Sequence, residues 1–174
     1  MDSPTVIILL RIIHIVAGAF WVGGAVTTAF FLLPTVKVTG PAGGQFAGAL
    51  IQRTHLPEWL TAAGGLVVLS GLLLYWDFYA DLPWGGLDPQ TVIGVGGILA
   101  ILSLLLGIFV SRPTAARMGA VGKAIQAQGT PPTPAQIAER DTLLSRLTNV
   151  AMLNAVLIVI AAACMAIGRY AGLV

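Results

Sequence analysis

The chain has 174 residues, of which 57% are hydrophobic and only 9% are charged, and its formal net charge is +2. Because an average soluble domain is about 25% charged, this composition excludes an ordinary soluble domain. It equally excludes disordered, collagen-like and disulfide-stapled chains. The single cysteine, Cys164, cannot form an internal disulfide. The length predicts one domain, residues 1–174.

Four stretches of the chain contain no Asp, Glu, Lys or Arg, and they run for 25, 18, 23 and 22 residues. A helix needs about 17–25 mostly apolar residues to cross the hydrocarbon core, whereas a membrane strand needs about 9–11 alternating ones. The first stretch has no basic flank and exceeds the apolar core of a signal peptide, which is about 7–15 residues, so we expect it to be retained. The sequence predicts an all-α polytopic membrane protein, an antiparallel four-helix bundle with spans near 5–35, 57–77, 89–110 and 139–170.

Proline at the first helical position, after a capping side chain, predicts three helix starts. Gln136 stands where it would complete a capping box at the last of these starts, and Glu58 suits the positive end of a fourth helix. The predicted helices lie near 4–35, 57–77, 89–110 and 134–170, and no internal repeat is evident. The three capped starts are Ser3-Pro4, Asp88-Pro89 and Thr133-Pro134.

The loops after the first and third spans contain two further helical segments. Residues 41–56 predict a short helix at the cytoplasmic interface. Residues 113–128 place Met118, Val121 and Ile125 on one face and predict a second such helix. The same two loops hold seven of the nine Lys and Arg residues. The positive-inside rule therefore predicts cytoplasmic loops and both termini outside.

Arg11, His14, Gly18 and Trp21 recur at helical spacing on one face of the first span. An ionisable residue inside a span is costly and indicates function. Imidazole is a standard haem ligand, Gly18 leaves room for a planar macrocycle, and Arg11 suits a haem propionate. We predict His14 as the iron or metal ligand with the other three beside it. The alternative is a neutral imidazole bonded to a Ser, Thr or carbonyl of a neighbouring helix, with Gly18 and Trp21 serving packing.

A sixth iron ligand could come from Met165 or Cys164 at the outer end of the last span, or from Tyr75; a five-coordinate site is the other option. His55 lies toward the opposite face of a bilayer about 30 Å thick, so the two histidines are not expected to clamp one haem within a chain. Copper is the weaker prediction, since Met152 and Met165 lie 13 residues apart and form no recognised copper pattern.

The catalytic motifs of soluble enzymes are absent: there is no GxSxG, phosphate loop, HExxH or GxGxxG before a strand. No catalytic residue is therefore assigned, and enzymatic activity stays open. The basic residues are not interleaved with aromatic ones as in nucleic-acid grooves, so nucleic acid is not an expected partner.

The segment from Arg11 to Gly24, RIIHIVAGAFWVGG, resembles the first-span signature LLHxxxxxxWxGG of CopD-like bacterial membrane proteins, in particular compact four-span members of unknown function. The likeness continues at Pro34, at Gly40–Gly44, along Ser70–Trp76 and at Arg112-Pro113. The first span is also similar to that of HemJ-type protoporphyrinogen oxidases, in which the matching histidine binds haem. The resemblance implies a bacterial inner-membrane protein with haem or a metal at His14. The later basic and histidine positions of the HemJ-type family have no counterpart here.

Three functional hypotheses follow. The first is a small b-haem redox protein, acting in electron transport or haem handling, with His14 as axial ligand. The second is a non-catalytic accessory subunit of a larger membrane complex, because glycine- and alanine-rich spans suit close packing against other subunits or a second copy. The third is CopD-like copper handling.

Overall fold

The computed structural model describes residues 3–171, and within that range the chain forms helices and no strand. All helices except the second are long and apolar enough to cross a membrane. The predicted all-α architecture of four membrane helices is thereby confirmed. The helices are α1 (Pro4–Val38), α2 (Gly40–Gln52), α3 (Leu56–Tyr79), α4 (Pro89–Ala127) and α5 (Pro134–Gly168).

The four long helices pack most closely as two pairs, α1 with α3 and α4 with α5. The short helix α2 lies at one end of the bundle, which we call the α2 end, and the Gln52 side chain donates from Nε2 to the carbonyl of Gly119 in α4 at 3.3 Å. The opposite end, where α1 begins, is called the Arg11 end. The two predicted cationic loops therefore lie together at the α2 end.

Two hydrophobic clusters hold the bundle. The cluster within the four-helix layer joins Trp21 to small residues of the other three long helices, among them Ala63, Ala100 and Ala161. Small residues let helix backbones approach closely, which is how membrane helices gain packing energy. The cluster at the α2 end uses larger side chains, and its buried members are Leu33, Val36, Ala47, Ala115, Leu144 and Leu147.

Helices α1 and α4 each contain one π-helical segment, Thr28–Leu32 and Gly107–Ser111. A proline follows each segment two residues later, Pro34 in α1 and Pro113 in α4. Proline lacks an N–H and its ring collides with the carbonyl four residues earlier, and a wider π turn accommodates both problems without ending the helix. The two π segments and the prolines that follow them lie 79 residues apart, so positions of α1 and α4 with this offset can be compared.

The same π turns explain a boundary error. The helix predicted to end near residue 110 continues to Ala127, so residues 113–128 extend α4 and do not form a separate interfacial helix. Met118, Val121 and Ile125, which the sequence places on one face, are all half-buried on it. The segment 41–56 does contain a separate helix, α2.

The predicted capping box at the start of α5 is confirmed. The hydroxyl of Thr133 accepts from the Gln136 N–H at 3.3 Å, and the Gln136 side chain accepts from the Thr133 N–H at 2.8 Å. The predicted side-chain caps at Ser3 and Asp88 were wrong, because neither side chain makes a cap hydrogen bond. At both starts the backbone carbonyl of the residue accepts from the first turn.

Candidate functional site around His14

His14 lies at the contact between α1 and α3, and its side chain is half-buried. The ring nitrogen Nδ1 is 2.9 Å from the backbone carbonyl oxygen of Val67 and 3.3 Å from Oγ of Ser70. The Ser70 hydroxyl itself donates to the carbonyl of Leu66 at 2.5 Å, so its oxygen is free to accept. The imidazole thus bridges two helices in the way that the alternative interpretation of His14 describes.

These partners define which nitrogen carries the proton. A carbonyl oxygen only accepts hydrogen bonds, and therefore Nδ1 of His14 must carry the hydrogen in the neutral ring. The second nitrogen, Nε2, then holds a lone pair. Within residues 3–171 this nitrogen has no hydrogen-bond partner. A histidine whose Nδ1–H is held by a backbone carbonyl while Nε2 stays open is the arrangement that metal-ligating histidines adopt.

The imidazole rests directly on Gly71 of α3. A Cβ atom added at Gly71 would lie 2.8 Å from Cε1 and 3.2 Å from Nδ1 of His14, which is closer than real Cβ atoms approach. Only glycine at this position lets the ring reach the α3 backbone. Gly71 therefore leaves the space that the imidazole occupies against α3.

The helix pair α4–α5 contains an apolar equivalent of this contact. The position 79 residues after His14 is Ile93, and Ile93 lies over Gly168 of α5, where an added Cβ would meet its Cδ1 at 2.9 Å. The two pairs thus share one packing motif, a side chain of the first helix resting on a glycine of the second. In α1–α3 that side chain is an imidazole, and in α4–α5 it is a hydrocarbon.

Arg11 lies one turn before His14 on α1. The guanidinium carbon is 5.1 Å from the centre of the Phe78 ring of α3, a cation–π contact at the Arg11 end of the bundle. Arg11 is exposed and forms no ion pair within the described part of the chain.

Gly18 and Trp21 both face α3. A Cβ added at Gly18 would lie 3.8 Å from Cγ2 of Val67, which is ordinary contact distance. Trp21 is 4% exposed, and its indole ring lies against Gly64, where an added Cβ would be 2.8 Å from Cε2. The contacts of both residues are helix-packing contacts.

The residues considered as a sixth iron ligand lie at other contacts. Met165 and Cys164 pack against Gly96 between α4 and α5. The hydroxyl of Tyr75 donates to the carbonyl of Gln90 at 3.1 Å. His55 is exposed in the link between α2 and α3 with a positive φ of 52°. No group of three or more His, Cys, Asp or Glu side chains suited to a metal occurs among residues 3–171.

Sequence reasoning did not find the three positions of α3 that hold His14, namely Val67, Ser70 and Gly71. The Ser70-Gly71 pair inside an apolar span was the only available signal. The Val67 contact uses a backbone carbonyl, which every residue carries, and so no side chain marks it.

Comparison with protein-family models, curated proteins and solved structures finds no match for this chain.

Proposed function

We propose that this protein binds haem in the membrane through His14 and serves electron transfer or haem handling. The observation that supports the proposal is the open Nε2 of an imidazole whose other nitrogen is held by the Val67 carbonyl at 2.9 Å. The apolar equivalent at Ile93 strengthens it. Since a hydrocarbon side chain satisfies the same packing position, the imidazole is not needed for packing alone.

The residues present fit one axial ligand per chain. His14 would bind the iron through Nε2, and the hydrogen bond from Nδ1–H to Val67 would keep the ring oriented and raise its basicity. Arg11, which has no carboxylate partner within residues 3–171, would pair with a propionate. Haem, when bound, supplies one-electron redox chemistry whose potential depends on its axial ligands.

The test is haem content and absorption of the full chain, purified in mild detergent from cells supplied with haem. We expect a Soret band and sharp α and β bands after reduction. The variant His14→Ile, which copies the apolar equivalent, should fold and lose the bands. The control His55→Asn removes the other histidine while tolerating its positive φ, and it should keep them.

Retention of full haem content by His14→Ile, with unchanged bands, would contradict the assignment. A wild-type protein without visible absorption, although haem was available, would contradict it as well. In that second case the bond from His14 to α3 would serve helix association only.

An accessory subunit of a larger membrane complex is the second candidate, supported by the exposure of α1. Only 6% of the most apolar 18-residue stretch of α1 is buried in the bundle, against 17–22% for the corresponding stretches of the other three long helices. Its exposed surface includes Ile8, Ile12 and Ile15, which another membrane helix or a second copy could cover. This candidate predicts a copurifying subunit in mild detergent, and a strictly monomeric protein would argue against it.

Copper handling has less support. Copper sites use imidazole, thiolate and thioether groups gathered around one ion, whereas Met165 and Cys164 lie between α4 and α5, and His14 lies between α1 and α3. Copper uptake by the metal-free protein, lost in His14→Ile, would favour this third hypothesis.

We further propose that the protein lies in the bacterial inner membrane with its α2 end in the cytoplasm, because the cationic loops gather there. A reporter enzyme active only outside the cytoplasm should give activity when fused after residue 171 and none when inserted at residue 129. The reverse pattern would contradict this orientation.

A further inference from the structure

A cavity of about 130 Å³ lies toward the α2 end of the bundle. All five helices contribute to its wall, which is mainly hydrocarbon. Both π-helical segments face it: Thr28 and Leu32 come from one segment, and Gly107 and Ser111 come from the other. Since π turns inside α-helices are frequent at functional sites, two of them around one cavity indicate a binding site.

Thr28 is the unusual polar residue of this wall. Its hydroxyl oxygen is buried without a hydrogen-bond partner, which is true of no other buried side-chain nitrogen or oxygen in the described part of the chain. Other helix threonines donate to the carbonyl four residues earlier, for example Thr61 at 2.7 Å and Thr114 at 2.6 Å. A buried hydroxyl left unsatisfied costs free energy, so Thr28 is placed to donate to an oxygen that enters the cavity.

The side-chain amide of Asn154 is a second hydrogen-bond donor at the cavity. Ser103 is fully buried, and its hydroxyl donates to Oδ1 of Asn154 at 2.7 Å. Asn154 also lines the cavity, and its Nδ2 group has no partner among residues 3–171. Since no acidic side chain lines the cavity within the described chain, the wall offers hydrogen-bond donors and apolar surface.

Arg112 adds a positive charge at the edge of the cavity, directly after the π segment of α4. The next arginine along α4, Arg117, does have an acidic partner and lies 3.8 Å from Glu139. Arg112 has no acidic partner within residues 3–171, and its side chain is exposed. An unpaired guanidinium beside an apolar cavity is complementary to an anionic head that carries a hydrocarbon chain.

We propose that this cavity holds the first carbons of one hydrocarbon chain of an anionic amphiphile, with the rest of the chain outside it. The carboxylate or phosphate head pairs with Arg112. An oxygen of the head or of its ester linkage accepts from the Thr28 hydroxyl. Two sources share this chemistry, a free fatty acid and an anionic phospholipid of the surrounding membrane. Val67, Ser70 and Gly71, which contact His14, do not line the cavity, whereas Trp21 lines it.

The test is native mass spectrometry of the full chain released from non-ionic detergent. Oleic acid and phosphatidylglycerol are the anionic probes, and oleyl alcohol and phosphatidylcholine are the neutral probes of matched chains. We expect at least one anionic probe to be retained about tenfold more strongly than its neutral counterpart, the order expected for a hydrogen-bonded charge. Retention of oleic acid identifies the free acid as the source, and retention of phosphatidylglycerol identifies the phospholipid.

Matched variants locate the binding. Arg112→Gln should weaken retention about tenfold, while Arg117→Gln, on the same helix and outside the cavity, should leave it unchanged. Gly107→Leu should block the cavity, because a Cβ added there meets no atom within 4 Å and the larger side chain can extend into the space. Gly97→Leu, at a glycine of α4 that is equally open but does not line the cavity, should bind as the wild type does.

Equal retention of charged and neutral probes, together with unchanged binding in Arg112→Gln, would overturn the proposal. Undiminished binding in Gly107→Leu would overturn it too. So would a wild-type protein that retains none of the probes. Thr28→Val keeps the shape of the side chain and should weaken binding about threefold to tenfold. This variant provides a test that does not depend on filling the cavity.

Discussion

The helix pairs α1–α3 and α4–α5 use the same packing design with different side chains. In α1–α3, His14 rests on Gly71, and seven residues further along α1 Trp21 rests on Gly64. In α4–α5, Ile93 rests on Gly168, and the next equivalent positions are two buried alanines, Ala100 and Ala161.

The difference separates packing from function. Because α4–α5 associates through hydrocarbon alone at this position, the geometry of the pair does not require an imidazole. What His14 adds to α1–α3 is a hydrogen bond to the opposite backbone and one open nitrogen. The contact of Ile93 with Gly168 therefore supplies an internal control for substitutions at the contact of His14 with Gly71.

The two helix pairs should differ most in their response to substitution at Trp21 and at the equivalent Ala100. Trp21→Ala removes a side chain that is 4% exposed and should lower the free energy of unfolding by about 3–5 kcal/mol. Ala100→Gly at the equivalent position deletes one methyl group and should cost about 1 kcal/mol. Unfolding by SDS in mixed micelles measures both values. Equal losses in the two variants would contradict the view that Trp21 contributes more packing energy than the alanine at the equivalent position of α4.

The glycines under His14 and Ile93, Gly71 and Gly168, should respond alike in stability but differently in haem binding. Gly71→Ala and Gly168→Ala each force a Cβ into the side chain above, His14 or Ile93, and each should cost about 1–3 kcal/mol from overpacking. Only Gly71→Ala should also change haem content and the absorption spectrum. A spectral change in Gly168→Ala of the same size would argue against His14 as the ligand.

Ser103→Ala tests the polar contact of the α4–α5 pair. It leaves Oδ1 of Asn154 without the donor that lies 2.7 Å away, and the expected loss of stability is about 1–2 kcal/mol. The same SDS titration measures it, with Ser145→Ala, at an exposed site of α5, as the control. If the double variant Ser103→Ala/Asn154→Leu were no more stable than Ser103→Ala, the loss would not come from the unpaired amide.

The smallest predicted effect lies outside both helix pairs. Thr133→Ala removes the observed capping box and should cost about 0.5–1 kcal/mol, because the start of α5 is exposed. Hydrogen exchange should increase in the first turn of α5 and stay unchanged beyond Leu143, and protection that is unaltered throughout would refute the role of the cap.

Sequence patterns predicted the spans well, since charges are excluded from the membrane interior over lengths that a helix must cover. The capping box at Thr133 was also predictable, because its pattern is local. The passage of α1 and α4 through Pro34 and Pro113 was not, since proline usually ends a helix and only the π turns reveal how these continue.

The environment of His14 was predictable only in part. The spacing on α1 identified the residue, but its partner is the backbone carbonyl of Val67, which has no sequence signature. Gly71 matters through its register opposite His14, and register between helices depends on the packing of the whole bundle. The unsatisfied hydroxyl of Thr28, at the start of a π segment, likewise has no sequence signature.

The most direct test of the central claim is the absorption spectrum of His14→Gly measured with and without added imidazole. If Nε2 of His14 binds iron, the variant should lose the wild-type spectrum, and imidazole entering the space on Gly71 should restore it. A variant that keeps the wild-type spectrum without imidazole would contradict the claim that His14 is the ligand.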